Sequence, residues 1–129
     1  MSSQRIETLQ PTGLAAPGGH YSPGVVAGGL LFVSGQLPIA VDGTRLTAAD
    51  FAAQVRQVLA NVDAVLAARA LTRERLVQVR VYLVDIEDWA QFNVLYAQWI
   101  GPHRPARAVV PVPALHHGFR IELEAIAAV

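Results

Sequence analysis

The stretch LVQVRVYLV, residues 76–84, decides the fold because its side chains alternate between apolar and polar. Successive residues of a β-strand point to opposite faces of the sheet. The apolar face would carry Val77, Val79, Val81 and Leu83, and the polar face would carry Gln78, Arg80 and Tyr82. The pattern therefore predicts a half-buried strand, with one face packed on a core and the other open.

A helix is predicted on each side of this strand. In residues 47–70 the apolar side chains follow the 3.6-residue helical period, at positions 51, 55, 58, 59, 62, 65 and 66. Thr47, followed three residues later by Asp50, resembles a capping box and predicts that this helix begins there. The second helix is predicted over residues 86–100. Its aromatic stripe is expected in the core or in an interface, and consists of Trp89, Phe92, Tyr96 and Trp99.

The remaining strands lie toward the two ends of the chain. Residues 8–24 are rich in Gly and Pro and predict a loop, and Gly28-Gly29 then predicts the turn of a hairpin. Residues 107–112 and 119–129 have the pattern of the last two strands. The order β-β-α-β-α-β-β predicts one α+β domain over residues 1–129, a sandwich with two helices packed on one face of a mixed sheet.

Composition restricts what this domain can do. Hydrophobic residues make up 53% of the chain, yet no run approaches the ~18 apolar residues of a membrane helix. The surplus apolar surface predicts a homo-oligomer. The chain has ten arginines, no lysine and no cysteine, which excludes Schiff-base chemistry, thiol nucleophiles and disulfides. The zero net charge argues against a nucleic-acid partner, and the N-terminus lacks a signal-peptide pattern, so a cytoplasmic location is expected.

The segment HRPARAVVPVPAL, residues 103–115, places Arg107 at the start of an apolar strand. A guanidinium stays ionised and is costly to bury without an anion. Either another side chain supplies that anion in a salt bridge, or a ligand does. Arg104 precedes a proline and is expected to point elsewhere, in a structural role.

The last predicted strand carries Glu122 and Glu124, which share one face because they are two residues apart. One interpretation is a solvated surface on which they pair with Arg80 and Arg120. The other is a site in which a carboxylate orients or deprotonates water.

Other polar residues carry weaker signals when considered alone. Tyr21 is more typical of packing, and Ser34 lacks the G-x-S-x-G pattern of a serine nucleophile. The histidines, at positions 20, 103, 116 and 117, do not have the spacing of metal ligands, so no metal site is expected. His116 and His117 stand beside Gly118 and predict a surface turn.

Several motifs together, in order and spacing, resemble one family along nearly the whole chain. They are Tyr21-Ser22, LFVSGQLP (31–38), QVRQVLANVDAVL (54–66), VRVYLVDIEDW (79–89), Asn93 and Tyr96, HRPAR (103–107) and IELEAIA (121–127). On these residues the chain resembles the RidA/YjgF family of reactive intermediate (enamine/imine) deaminases.

The resemblance implies a chorismate-mutase-like fold assembled as a homotrimer, with clefts between neighbouring subunits. Members of the 2-iminobutanoate/2-iminopropanoate deaminase type hydrolyse 2-imino or enamine acids to 2-keto acids and ammonia, without a metal or organic cofactor. The family's carboxylate-binding arginine falls on Arg107, and its water-activating glutamate falls on Glu122. Further positions that line the family's cleft fall on Tyr21, Ser34, Gly35 and Asn93. Tyr21 is also expected to assist catalysis.

Two positions depart from the family pattern and leave alternatives open. Val109 stands where Cys, Ser or Thr is common, and is expected to form an apolar wall beside Arg107. His20 stands where Gly or Pro is common. One alternative, favoured by Val109, is a trimer that binds small carboxylates such as 2-keto acids without turnover. Another is a deaminase of a larger catabolic enamine such as an aminomuconate-like acid.

Overall fold

A sheet of six strands carries two helices on one face. The computed structural model describes residues 5–129. The elements in chain order are β1 (Glu7–Leu9), β2 (Gly24–Ala27), β3 (Leu30–Gln36), α1 (Phe51–Ala67), β4 (Leu76–Leu83), α2 (Trp89–Ile100), β5 (Ala106–Pro111) and β6 (Ile121–Ala128). Across the sheet the strands are ordered β1-β2-β3-β6-β4-β5, and β4 pairs with β5 in parallel while the other pairs are antiparallel. The predicted α+β class with a mixed sheet is confirmed.

The core lies between the sheet and the helices. Fully buried side chains from β4, β6 and α1 meet there, and include Val79, Val81, Leu83, Ile121, Leu123, Val55, Val58, Val62 and Val65. The prediction that Val77 shares this face is wrong, because Val77 is 47% exposed while Leu76 is buried. The register of β4 against β6 shifts between Leu76 and Gln78. One extra residue in a strand turns the following side chains to the other face.

Helix α1 begins at Phe51 with its N-cap at Asp50, three residues after Thr47, the N-cap that the capping-box pattern predicts. The carboxylate of Asp50 accepts a hydrogen bond from the backbone N–H of Ala53 at 2.8 Å, so Asp50 is the N-cap. The hydroxyl of Thr47 instead donates to the carbonyl of His117 at 2.9 Å. Thr47 therefore holds the turn before β6, a long-range contact that local sequence does not reveal.

Strand β1 overlaps the start of the segment that the sequence predicts as loop, residues 8–24. Its three residues pair with the edge of β2, with Glu7 opposite Val26 and Leu9 opposite Gly24. The short strand has little periodicity of its own. It forms because the backbone of β2 offers it hydrogen-bonding partners.

Two buried polar side chains of α1 fix the loops that flank the candidate site. Gln54 accepts a hydrogen bond from the backbone N–H of Arg120 at 2.9 Å, which positions the start of β6. Asn61 donates to the carbonyls of Leu37 at 3.0 Å and Ile39 at 3.1 Å, which positions the loop after β3. Buried amides are stable in a core when their hydrogen bonds are made.

Candidate functional site

Arg107 lies on the edge strand β5 and points to the helix-covered face of the sheet. It stands opposite Val79 of β4, whose side chain is in the core. The Arg107 guanidinium donates to the side-chain oxygen of Asn93 on α2 at 2.9 Å. Its central carbon lies 5.0 Å from the centroid of the Tyr96 ring and 5.8 Å from that of Phe92. Helix α2 therefore orients the cation through a neutral hydrogen bond and aromatic faces.

No Asp or Glu within residues 5–129 forms an ion pair with Arg107. The guanidinium borders a cavity of about 550 Å³, here named the arginine cavity, which is also lined by Asn93, Tyr96, His103 and Arg104. The expectation that Arg104 points elsewhere is wrong, because Arg104 lines the same cavity. Val109 shares the strand face of Arg107 and packs against the hydrophobic core rather than lining this cavity.

Tyr96 is the buried polar residue of the arginine cavity. In the part of the chain that the structure describes, its hydroxyl is buried and has no hydrogen-bond partner. Burial raises the pKa of Tyr96, while the positive charge of Arg107 acts in the opposite direction. The hydroxyl therefore stays protonated at neutral pH and remains a potential hydrogen-bond donor.

Glu122 lies on the other face of the sheet. It alternates along β6 with the buried residues Ile121 and Leu123, and stands opposite Tyr82 of β4. The neighbouring strand β3 comes very close at Gly35, where a Cβ atom would overlap the Oε2 atom of Glu122. The register of β3 against β6 shifts between Val33 and Gln36, around this glycine. A glycine at position 35 thus leaves the space that the carboxylate occupies.

A cavity of about 520 Å³ adjoins this carboxylate and is here named the glutamate cavity; its lining includes Tyr21, Ser34, Gly35, His116 and Glu122. The hydroxyl of Ser34 donates to the carbonyl of Ser22 at 2.6 Å, so it ties the preceding loop to β3. Tyr21 is 51% exposed at the cavity. The hydroxyl of Ser34 is thus engaged as a donor, whereas Tyr21 is accessible to a ligand.

Burial raises the pKa of the Glu122 carboxyl group. The neighbouring His116 lowers this pKa, and the negative charge of Glu124 raises it. Glu124 itself is engaged by the hydroxyl of Tyr82 and lies 3.9 Å from the guanidinium of Arg80. Arg120 pairs instead with Asp88 at 2.9 Å. Of the predicted pairing of the two glutamates with Arg80 and Arg120, the structure shows only the pair of Glu124 with Arg80. A carboxylate with a raised pKa is a stronger base, which suits proton transfer.

The structure divides the predicted site residues between these two cavities. Arg107 and Asn93 are together on the helix-covered face, and Tyr21, Ser34, Gly35 and Glu122 are together on the open face. Sequence reasoning did not assign Tyr96, Arg104 and His116 to the site. The aromatic stripe of α2 was a signal for Tyr96, and closeness in sequence to Arg107 was a signal for Arg104.

The histidines occupy separate surroundings. His116 and His117 form a 3₁₀ turn before β6, in agreement with the predicted surface turn, and His117 adopts a φ of 59°. The Nε2 atom of His103 lies 2.7 Å from the carbonyl oxygen of Leu76. Residues 5–129 contain no cluster of three His, Cys, Asp or Glu side chains that is suited to a metal ion. Within the same range, neither helix is long and apolar enough to cross a membrane.

The residues that match known proteins include those that line both cavities. The sequence model of a family described as Endoribonuclease L-PSP matches residues 13–129. RutC family protein PH0854 of Pyrococcus horikoshii is 40% identical over 111 residues, 86% of this chain and 88% of that protein. The structure of the Rid family protein YyfA from Yersinia pestis is 34% identical, with a TM-score of 0.93 over 97% of this chain and 100% of that one. The structure of E. coli TdcF with bound serine is 31% identical, with a TM-score of 0.89 over 95% of this chain and 98% of that one.

Proposed function

Because the chain belongs to the RidA/YjgF family, whose sequence model is described as Endoribonuclease L-PSP, we propose that it hydrolyses 2-imino and enamine acids to 2-keto acids and ammonia. One observation carries this proposal: Arg107 lines a cavity and has no carboxylate partner within residues 5–129. The carboxylate of a 2-imino acid is the anion that this guanidinium lacks. Ribonuclease activity is not proposed, because a chain without lysine and with zero net charge is poorly suited to a phosphate backbone.

Arg107 is the group that holds the substrate. Asn93 engages one side of the guanidinium, and the remaining N–H groups are available for two parallel bonds to a carboxylate. Such a clamp fixes the adjacent C=N carbon in space. A protonated imine is already electrophilic, so the absence of cysteine and lysine does not hinder the reaction.

Glu122 is the group that activates water. The ionised carboxylate accepts a proton as the water oxygen bonds to the imine carbon, which gives a carbinolamine. That proton then passes to the nitrogen, the Glu122 carboxylate takes the proton of the carbinolamine hydroxyl as the C=O bond forms, and the C–N bond breaks to release ammonia. An enamine first takes a proton on carbon and becomes the imine. Tyr21, Ser34 and the backbone at Gly35 line the same cavity and would surround the reacting atoms.

Two copies of the chain are needed to assemble this proposed site, because the two cavities lie on opposite faces of one sheet. The open face exposes apolar side chains beside its polar ones: Phe32 is 43% exposed and Val110 40% exposed. Such residues favour burial against further copies of the chain. We therefore include in the proposal a homotrimer in which the arginine cavity of one subunit faces the glutamate cavity of its neighbour.

Two other functions stay open on specific observations. A trimer that only binds small carboxylates would use Arg107 in the same way, and the E. coli relative TdcF holds a bound serine. A deaminase of a larger catabolic acid, such as an aminomuconate-like acid, is favoured by the size of the arginine cavity, about 550 Å³.

The proposal is tested with imino acids that an amino-acid oxidase generates in the assay. Their loss is followed by trapping the remaining imino acid with semicarbazide. The wild-type protein is expected to accelerate their loss. Arg107→Ala is expected to abolish the acceleration because the substrate is no longer held. Glu122→Gln is expected to lower turnover by about 100-fold or more while 2-keto acids still bind, since it removes only the base.

Arg45→Ala and Glu87→Gln are matched controls, because both side chains are exposed and lie outside the two cavities. Both variants are expected to retain wild-type rates. Wild-type protein that binds 2-keto acids without accelerating imine loss would replace the enzyme proposal with the binding function.

A further inference from the structure

The arginine cavity contains a second guanidinium that the proposed reaction does not use. Arg104 lines this cavity together with Arg107, and His103 is a third basic residue in the lining. The cavity lining contains no Asp or Glu within residues 5–129, and Arg104 forms no ion pair there. Two permanent positive charges without an anion generate a potential that favours a ligand with two negative charges.

The spacing of the two arginines fits a short diacid. Arg104 precedes Pro105, which favours an extended backbone at position 104, and Arg107 lies within β5. Residues three apart in extended chain have Cα atoms about 10 Å apart. Each guanidinium stands at the end of a flexible stem, so the two cations can approach opposite ends of one four- or five-carbon ligand.

The surroundings of each arginine assign them different parts of such a ligand. Arg107 is partly buried and already held by Asn93 and the ring of Tyr96, so it has donors left for one carboxylate. Arg104 is exposed at the cavity, with its donors free of any hydrogen bond within residues 5–129. Tyr96, whose buried hydroxyl lacks a partner in that range, adds an unused polar group to the same lining.

We propose that the preferred substrates are 2-imino acids with a second carboxylate, the imines derived from acidic amino acids. Arg107 binds the carboxylate next to the imine carbon, and Arg104 binds the carboxylate at the far end of the side chain. That the substrate is an imine rests on the proposed function, whereas the preference for a diacid rests on the two arginines alone.

Binding of product-like acids tests the preference without requiring turnover. Calorimetric titration compares 2-oxoglutarate with 2-oxopentanoate, which has the same five-carbon chain and a methyl group in place of the second carboxylate. Wild-type protein is expected to bind 2-oxoglutarate about 10-fold more tightly, the size of one added charge-assisted hydrogen-bonded contact. Arg104→Gln is expected to abolish this ratio and to leave the affinity for 2-oxopentanoate within about twofold of wild type.

Three outcomes would overturn the proposal. Equal affinity of the wild-type protein for both acids would show that Arg104 contacts no second carboxylate. The same loss in the control Arg45→Gln would show a long-range effect of net charge. A weaker trimer by light scattering in Arg104→Gln, with the ratio of affinities unchanged, would show that Arg104 pairs with a neighbouring subunit.

The same titrations separate this proposal from the deaminase function. A diacid preference that depends on Arg104, in protein that does not accelerate imine loss, would refute only the deaminase. Imine hydrolysis at equal rates for mono- and dicarboxylic substrates would refute only the diacid preference. Unchanged binding of both acids in Arg107→Ala would refute both, because the arginine cavity would then not be the binding site.

Discussion

The arginine cavity and the glutamate cavity are built by opposite means. In the first, α2 supplies a neutral amide and aromatic rings that hold a cation without neutralising it. In the second, the backbone of β3 approaches so closely at Gly35 that it shapes the space around the Glu122 carboxylate, and burial raises the pKa of that group. In the proposed reaction the first cavity binds an acid and the second moves a proton. Each lacks what the other has, which is why a single chain does not form the complete proposed site.

Among variants that alter the surroundings of Arg107 and Glu122 and leave both residues in place, the largest effect is expected from Gly35→Ala, which acts on the glutamate cavity. The new methyl group would overlap Oε2 of Glu122 and displace the proposed base. Turnover is expected to fall by about 100-fold or more, the contribution typical of a general base, while 2-keto acids still bind at Arg107. Steady-state kinetics and calorimetric titration measure the two effects.

The control for this variant is Gly13→Ala, because a Cβ atom at Gly13 meets only the Cβ atom of Ala64 at an ordinary 3.5 Å. It is expected to keep wild-type turnover. Full activity in Gly35→Ala would contradict the role given to the close approach of β3.

A smaller effect is expected from Asn93→Asp, which acts on the arginine cavity. Asn93 already accepts a hydrogen bond from Arg107 at 2.9 Å, so an aspartate there would supply the missing internal anion. Affinity for 2-keto acids is expected to fall about 10-fold or more, because the ligand must now compete with a charged partner. Titration of Asn93→Asp beside Asn93→Ala separates neutralisation of the charge from simple loss of the amide. Equal affinities in these two variants would argue that the charge of Arg107 does not drive binding.

The smallest effect is expected from His116→Gln and concerns pH. A base must be ionised, so activity is lost as the pH falls through the pKa of Glu122. Burial and Glu124 raise this pKa, while His116 lowers it. Removal of His116 therefore raises the pKa further, and the acidic limb of the rate profile is expected to move to higher pH. A profile of kcat/KM against pH measures the shift. An acidic limb that stays at the same pH would show that His116 does not influence the pKa of Glu122.

Local pattern predicted the elements of this fold well wherever burial is periodic. The alternation in β6 correctly places Ile121 and Leu123 in the core and Glu122 on the other face. Predictions failed where a distant partner decides the outcome. Val77 leaves the core because of the register of β4 against β6, and Thr47 bonds to the turn at His117 instead of capping α1.

The candidate site shows the same division. The family resemblance assigned Arg107, Glu122, Gly35 and Asn93 to the candidate site, and the structure shows a contact for each of these residues. Their separation onto two faces was not predicted. It follows from the parallel pairing of β5 with β4, which sets Arg107 beside Val79, and from the antiparallel pairing of β6 with β4, which sets Glu122 beside Tyr82.

The sequence by itself determined the two helices and the alternation of side chains along the strands, because these depend on local period. It also determined that every guanidinium or ammonium side chain is that of an arginine and to which family the chain belongs, because these depend on residue type. The tertiary structure alone decided that Arg107 meets an amide and aromatic rings instead of a carboxylate, that Arg104 joins it in one cavity, and that Gly35 adjoins Glu122. These contacts join residues far apart in sequence, and strand register, which no single stretch encodes, sets which side chains meet.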